Sequence, residues 1–273
     1  MNTEGNATPA ANGASGREGG PGATDLTGQV AVVTGASRGI GQAIAIRLGR
    51  LGASVVVNYS RDSSGAAETV AAIEAAGSQA IDVRADVSKP AETEALFETA
   101  RSRFGGLDIV VANAGLDRGL GPVLDVTEAE YDRMFNVNAK GAFFALQQAA
   151  RAVDSGGSIV YISSRYTLRP PTAGFGLYAS SKLPGNYLVG VLAQEIGKRG
   201  ITVNTVIAPA TDGAGYFTER NDDDQLRALA QNASPLGSRM GTVDDVADAV
   251  EFFTGKLSRW ISGAQLLVSG GAA

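Results

Sequence analysis

A doubly wound, seven-stranded parallel sheet with helices on both faces, built as one domain, is the architecture that this 273-residue sequence predicts. Three observations predict it. From Gln29 onward, apolar strand-like runs alternate with helical stretches, the rhythm of βαβ units. The strands read as near-continuous Val/Ile/Ala runs, as strands do when both faces are covered. A glycine-rich turn joins the first strand to the first helix. Strands are expected at 29–34, 53–58, 79–84, 107–112, 157–163, 201–207 and 265–268, and helices at 39–51, 63–76, 90–104, 127–137, 139–153, 176–198 and 242–254. Residues 1–24, rich in Gly, Ala, Asn and Thr, have little to bury and are expected to form a disordered tail ahead of a domain at 25–273. Residues 210–235 interrupt the alternation, and Asp222-Asp223-Asp224 reads as the N-capping start of a helix there.

The first strand, Val30-Ala31-Val32-Val33, runs into Thr34-Gly35-Ala36-Ser37-Arg38-Gly39-Ile40-Gly41, and a helical pattern follows. A strand, a tight glycine turn and a helix in that order build a dinucleotide phosphate site, because the backbone can approach the pyrophosphate and the helix N-terminus offers unpaired N–H groups. The second strand ends in Asn58-Tyr59-Ser60-Arg61. No acid stands at Val57 to Arg61 to hold a ribose 2′-hydroxyl, and Arg38 and Arg61 flank the position. That charge pattern suits a 2′-phosphate, so NADP(H) is expected in preference to NAD(H), although an exposed Arg61 could equally be a solvated surface charge. Far downstream, Tyr178-Ala179-Ser180-Ser181-Lys182 places a phenol and an ammonium on one helix face. A nucleotide site and a proton-transfer pair together point to a redox enzyme.

The absences narrow the chemistry further. The chain has no Cys and no His, which excludes thiolate nucleophiles, Cys-ligated zinc and imidazole acid–base catalysis, and no metal site is expected. A net charge of -5 argues against nucleic acid as a partner. No apolar run approaches the ~20 residues of a membrane span, and the N-terminus lacks the pattern of a signal peptide, so a cytoplasmic location is expected.

From Gln29 to Gly271 the chain resembles the classical short-chain dehydrogenases/reductases, a family with a Rossmann-type fold. The glycine spacing G-x-x-x-G-x-G at Gly35, Gly39 and Gly41 carries the resemblance, together with the ordered motifs Asn113-Ala114-Gly115, Asn136-Val137-Asn138-Ala139-Lys140-Gly141 and Tyr178 to Lys182. The resemblance implies that Asp86 and Val87 contact the adenine and that Asn113, Ala114 and Gly115 line the cofactor, although an Asn at a strand end also serves backbone groups. It implies that Ser164 binds the substrate carbonyl, with Ser163 as the alternative, and that Tyr178 transfers the proton. Lys182 would lower the tyrosine pKa and hold the nicotinamide ribose. Asn138 would hold a relay water, unless it simply caps or kinks its helix. The region 210–235 would be the substrate lid, and a homotetramer, with a dimer as fallback, would pack helices 139–153 and 176–198 against their mates.

Three departures stand out. Ser164 and Tyr178 are fourteen residues apart where many members have thirteen, a gap that resembles fungal hydroxynaphthalene reductases, which reduce flat aromatic ketones with NADPH. The intervening Arg165-Tyr166-Thr167-Leu168-Arg169-Pro170-Pro171 suggests an aromatic, polyketide-like or anionic carbonyl substrate. Pro184 falls inside the catalytic helix, so that helix is expected to kink or to start late. The segment Pro209-Ala210-Thr211 replaces the usual Pro-Gly, and Thr211 is the best match for the contact to the nicotinamide carboxamide. Two functional classes remain: an NADP(H)-dependent carbonyl reductase, or a non-catalytic dinucleotide-binding sensor with the same fold.

Overall fold

The computed structural model describes residues 24–117, 121–168, 171–218 and 224–272. The tail at 1–23, Arg169 and Pro170 of the serine–tyrosine loop, and Asp222 and Asp223 of the 210–235 segment therefore lie outside the described residues.

Seven parallel strands form one sheet: β1 (Val30–Val33), β2 (Ser54–Tyr59), β3 (Ala80–Arg84), β4 (Ile109–Ala112), β5 (Ser158–Ser164), β6 (Thr202–Ala208) and β7 (Gln265–Leu267). The helices are α1 (Gly39–Arg50), α2 (Ser63–Ala75), α3 (Pro90–Phe104), α4 (Glu128–Phe135), α5 (Ala142–Ala152), α6 (Gly176–Ile196), α7 (Asp224–Asn232) and α8 (Val243–Thr254). The strand order is β3-β2-β1-β4-β5-β6-β7, so the winding reverses between β1 and β4. Loops on either side of that reversal diverge and leave a crevice at the carboxyl edge.

Alternate residues of the inner strands feed two separate cores. Ala31, Val33, Val55, Val57, Val160 and Ile162 pack with α1, α2 and α8 through Ile44, Leu48, Ile73, Val250 and Phe253. Val32, Val56, Val110, Ile159 and Tyr161 pack on the other face with α3, α5 and α6 through Phe97, Leu146, Val189 and Leu192. Burial on both faces explains why the strands carry apolar runs without alternation.

Two expectations about helices are corrected. The predicted break between 127–137 and 139–153 is a π-helical turn, Asn136–Gly141, that joins α4 to α5 without interruption. Pro184 neither delays nor ends α6, which runs unbroken from Gly176 to Ile196. Ser180, whose carbonyl loses its partner to the proline, and Pro184 both lie on the exposed side, where water can replace the missing N–H.

Candidate active site

The glycine turn forms a cradle that side chains could not share. A Cβ on Gly41 would lie 2.3 Å from the Gly35 carbonyl oxygen, and one on Gly35 would lie 3.0 Å from the Ala114 Cα. Gly35 and Gly39 have φ of 63° and 57°, the left-handed region that glycine occupies without strain. No side chain caps α1 and no acid stands in its first turn, so its leading N–H groups are open to an anion. Arg38 and Arg61 are exposed beside the turn. The nearest acid, Asp62, accepts from the Gly65 N–H and caps α2. This is the chemistry that a dinucleotide pyrophosphate with a 2′-phosphate needs, and the residues present fit such a group.

Several of the expected cofactor residues prove to be braces. Asn58 is buried; its Oδ1 accepts from the Gly35 N–H at 3.2 Å and its Nδ2 donates to the Ala85 and Val83 carbonyls at 3.0 and 3.2 Å. Its side chain thus fastens the glycine turn to the end of β3. Asn113 donates to the Thr34 and Gly35 carbonyls at 2.9 and 3.2 Å, which fastens the same turn to β4. Thr34, which the sequence reading passed over, accepts from the Asn113 and Ala114 N–H groups. Asp86 accepts from the Ser88 N–H and hydroxyl. Burial raises its pKa, but the Ser88 hydrogen bonds, aided by Lys89 and Arg61, hold the carboxyl below its usual range. Val87 is buried against Gly141 of the π-helical turn. Ser37 is buried, and Ile40, Tyr59 and Ser60 line the turn and the end of β2.

Thr211 lies in the loop that follows β6. It is buried, its hydroxyl turns back to the Pro209 carbonyl at 3.1 Å, and it bridges to Gly241. The residue of this loop nearest the glycine turn is Ala214, whose Cβ would lie 3.2 Å from a Cβ on Gly39. A small apolar loop residue carries no signal that sequence reasoning could have used. A recess of about 340 Å³ opens beside this contact, lined by Gly39, Gln42, Arg47 and Gly213 among others.

At the end of β5 the structure brings Ser164, Tyr178, Lys182 and Asn138 together. Ser164 and Tyr178 share a hydrogen bond. Ser163 turns the other way, its Oγ buried without a partner, so geometry separates the two serines. Lys182 is buried and donates to the Ile162 carbonyl at 3.2 Å. A Cβ on Gly115 would sit 2.8 Å from its Nζ, which makes that glycine a requirement of the lysine. Asn138 is fully buried. Its Oδ1 accepts from the Leu116 N–H at 2.7 Å and its Nδ2 donates to the Leu116 carbonyl and the Ser181 hydroxyl at 2.9 and 3.0 Å. The π-helical turn aims Asn138 at the backbone after β4, a common use of such bulges at functional sites.

Beneath α6, Tyr161 was also unforeseen. Its hydroxyl donates to the Lys182 carbonyl at 3.1 Å, and its ring lies where a Cβ on Gly185 would approach to 2.4 Å. Glycine next to Pro184 therefore serves the close approach of β5 to the catalytic helix. Across the cleft, Tyr166 and Phe175 stack with ring centroids 3.5 Å apart.

Desolvation dominates the electrostatics of the tyrosine and the lysine. Burial pushes the Tyr178 phenol above its ordinary value, the Asp117 carboxylate adds to the rise, and the Ser164 hydrogen bond only partly offsets them. Burial also lowers Lys182 to about 8, against the pull of Asp117. At the tyrosine it is the Ser164 hydrogen bond that opposes burial.

Known proteins resemble this chain over most of its length. The family described as Enoyl-(Acyl carrier protein) reductase matches residues 35–273. The short chain dehydrogenase/reductase AacuN of Aspergillus aculeatus is 42% identical over 258 residues, covering 91% of this chain and 97% of its own length. A crystal structure of a short chain dehydrogenase from Burkholderia cenocepacia in complex with NADP is 39% identical with a TM-score of 0.82, over 90% of this chain and 98% of that one. The angucycline C-6 ketoreductase LanV with bound NADP is 36% identical with a TM-score of 0.84, over 92% and 97%.

Proposed function

Because this chain belongs to the short-chain dehydrogenase/reductase family, we propose that it is an NADP(H)-dependent carbonyl reductase whose proton donor is Tyr178. The observation that carries this reading is the hydrogen-bonded Ser164–Tyr178 pair above a buried Lys182, at the carboxyl edge of the sheet. NADPH, when bound, supplies the hydride. The N–H groups that open α1 bind its pyrophosphate, and Arg38 and Arg61 select the 2′-phosphate, which favours NADP(H) over NAD(H). Ser164 orients the ketone oxygen, and Tyr178 donates its proton as that oxygen becomes an alcohol. A phenol held in its protonated form suits reduction better than oxidation. Lys182 holds positive charge beneath the tyrosine, and Asn138 keeps the backbone after β4 in register with the site. A sensor would need none of these four side chains.

The stacked Tyr166 and Phe175, with Arg165 over the Tyr166 ring, offer a flat apolar wall. A polycyclic aromatic ketone, polyketide-like in shape, fits it, in keeping with the likeness to an angucycline ketoreductase. The described parts of the 210–235 segment, 210–218 and 224–235, are read as the substrate lid by family likeness. No described helix is long and apolar enough to cross a membrane; a cytoplasmic location and the lack of a nucleic-acid partner stay part of the proposal.

The chain assembles as a homotetramer. Phe143, Leu183 and Tyr187 are exposed on α5 and α6, and Leu257, Trp260, Leu266 and Leu267 are exposed near β7. Two separate apolar surfaces of this kind suit closed two-fold contacts in a tetramer.

The test is NADPH oxidation against a panel of ketones that includes hydroxylated naphthalenones and anthracyclic ketones. Turnover of at least one class supports the reading. Tight NADPH binding with no turnover of any ketone favours the sensor.

A further inference from the structure

Helix α6 presents Tyr178, Lys182 and, one turn further on, Asn186 on a single stripe, since residues at i, i+4 and i+8 share a face. The third of these is as buried as its neighbours, 8% exposed, although Asn rarely is. Its Nδ2 donates to the Thr167 hydroxyl at 3.0 Å. Thr167 in turn donates to the Ser164 carbonyl at 2.7 Å. Proton counting fixes the direction of this chain. The Thr167 hydroxyl has one hydrogen, spent on Ser164, so it can only accept from Asn186. The same turn donates the Tyr166 N–H to the Ser164 hydroxyl at 3.4 Å. The other end of Asn186, its Oδ1, is buried and accepts nothing among the described residues. A buried acceptor left without a partner forfeits its hydration and is destabilising. A residue kept for packing alone would be an apolar isostere, which carries no such cost.

We propose that Asn186 is a positioning residue for carbonyl reduction: through Thr167 it latches the turn after β5 to the catalytic helix and so fixes Ser164 against Tyr178. The inference rests on the reading of Ser164 given above. The helix that carries the proton donor thereby also sets the position of the serine, so the two move as one unit. Removing the donor frees the Thr167 hydroxyl to turn elsewhere and loosens the turn by tenths of an ångström, the scale on which reacting groups lose alignment.

Asn186→Asp keeps shape and removes the donor; Asn186→Leu removes both polar atoms. Each is compared with wild type by kcat, by KM for NADPH and by Tm, alone, with Thr167→Val, and in a Ser164→Ala background. The expected result is a fall in kcat of about tenfold or more with KM for NADPH within about twofold, and a Tm for Asn186→Leu equal to or above wild type. Thr167→Val should reproduce the loss, and the double variant should add nothing to it. In the Ser164→Ala background Asn186→Asp should have no further effect. The proposal is overturned if both Asn186 variants keep kcat within about twofold, or if the loss persists undiminished without the Ser164 hydroxyl. Wild-type turnover by Ser164→Ala itself would instead overturn the reading of Ser164.

Discussion

Lys182 reaches under its own helix to donate to the Ile162 carbonyl, 3.2 Å away, two residues before the end of the strand that closes in Ser164. One hydrogen bond therefore ties the helix that carries Tyr178 to the strand that carries its partner. It also places an ammonium where water is excluded, which lowers Lys182 to about 8.

A pH dependence follows. Tyr178, its pKa raised, stays protonated across the neutral range, so it imposes no limb there. Lys182 is charged below about 8 and neutral above it. The rate of ketone reduction, as kcat/KM for the free enzyme, should be level at neutral pH and fall as pH rises through about 8. A profile flat to pH 10 would separate the lysine charge from catalysis.

Cofactor choice should follow Arg38 and Arg61. Replacing both with Leu and placing Asp at the exposed Ser60 removes two phosphate partners and adds repulsion. The ratio of kcat/KM for NADPH to that for NADH should drop by about 10–100-fold, the worth of a charge-assisted hydrogen bond or more. Asn58 is unsuitable for the added charge, because its amide donates to the Val83 and Ala85 carbonyls. An Asp there would loosen the glycine turn and blur the result.

Gly185→Ala tests the packing under the catalytic helix. The new Cβ would come within 2.4 Å of the Tyr161 ring, which is fully buried and cannot retreat. Overpacking of this kind costs about 1–3 kcal/mol, more than the gain in helix propensity. A lowered Tm with a partial loss of kcat is expected, since Tyr161 also holds the Lys182 carbonyl. A raised Tm would show that the helix lifts away freely.

Assembly can be read by light scattering. The exposed Trp260, Leu257 and Tyr187 predict a tetramer at micromolar concentration. Trp260→Asp with Leu257→Asp should reduce it to a dimer that keeps the α5–α6 contact. A stable wild-type monomer would contradict the proposed assembly.

The sheet was legible because long parallel strands need both faces covered, and their Val/Ile runs say so. Gly35, Gly39 and Gly41 were legible because the turn admits no side chain. Tyr178 and Lys182 stood out from their spacing. Ser164, unlike Ser163, needed the structure, since which of two adjacent strand residues faces the cleft depends on register. The bracing role of Asn58 was hidden because an amide at a strand end looks alike whether it meets ligand or backbone, while for Asn113 bracing was one of the two readings its place allowed. Helix α6 survives Pro184 because the affected carbonyl faces solvent, a fact of orientation that the residue type does not carry. Tyr161 and Ala214 gave no sign, one because it reads as core, the other because small loop residues are unremarked.

The central claim is that Tyr178 gives the proton. Tyr178→Phe keeps the ring and loses only the hydroxyl that meets Ser164. With a ketone that the wild type reduces, kcat should fall by about 10³-fold or more, while NADPH, titrated by fluorescence, binds with unchanged Kd. A Phe variant that retains a substantial share of wild-type kcat would contradict the account, whatever the other variants do.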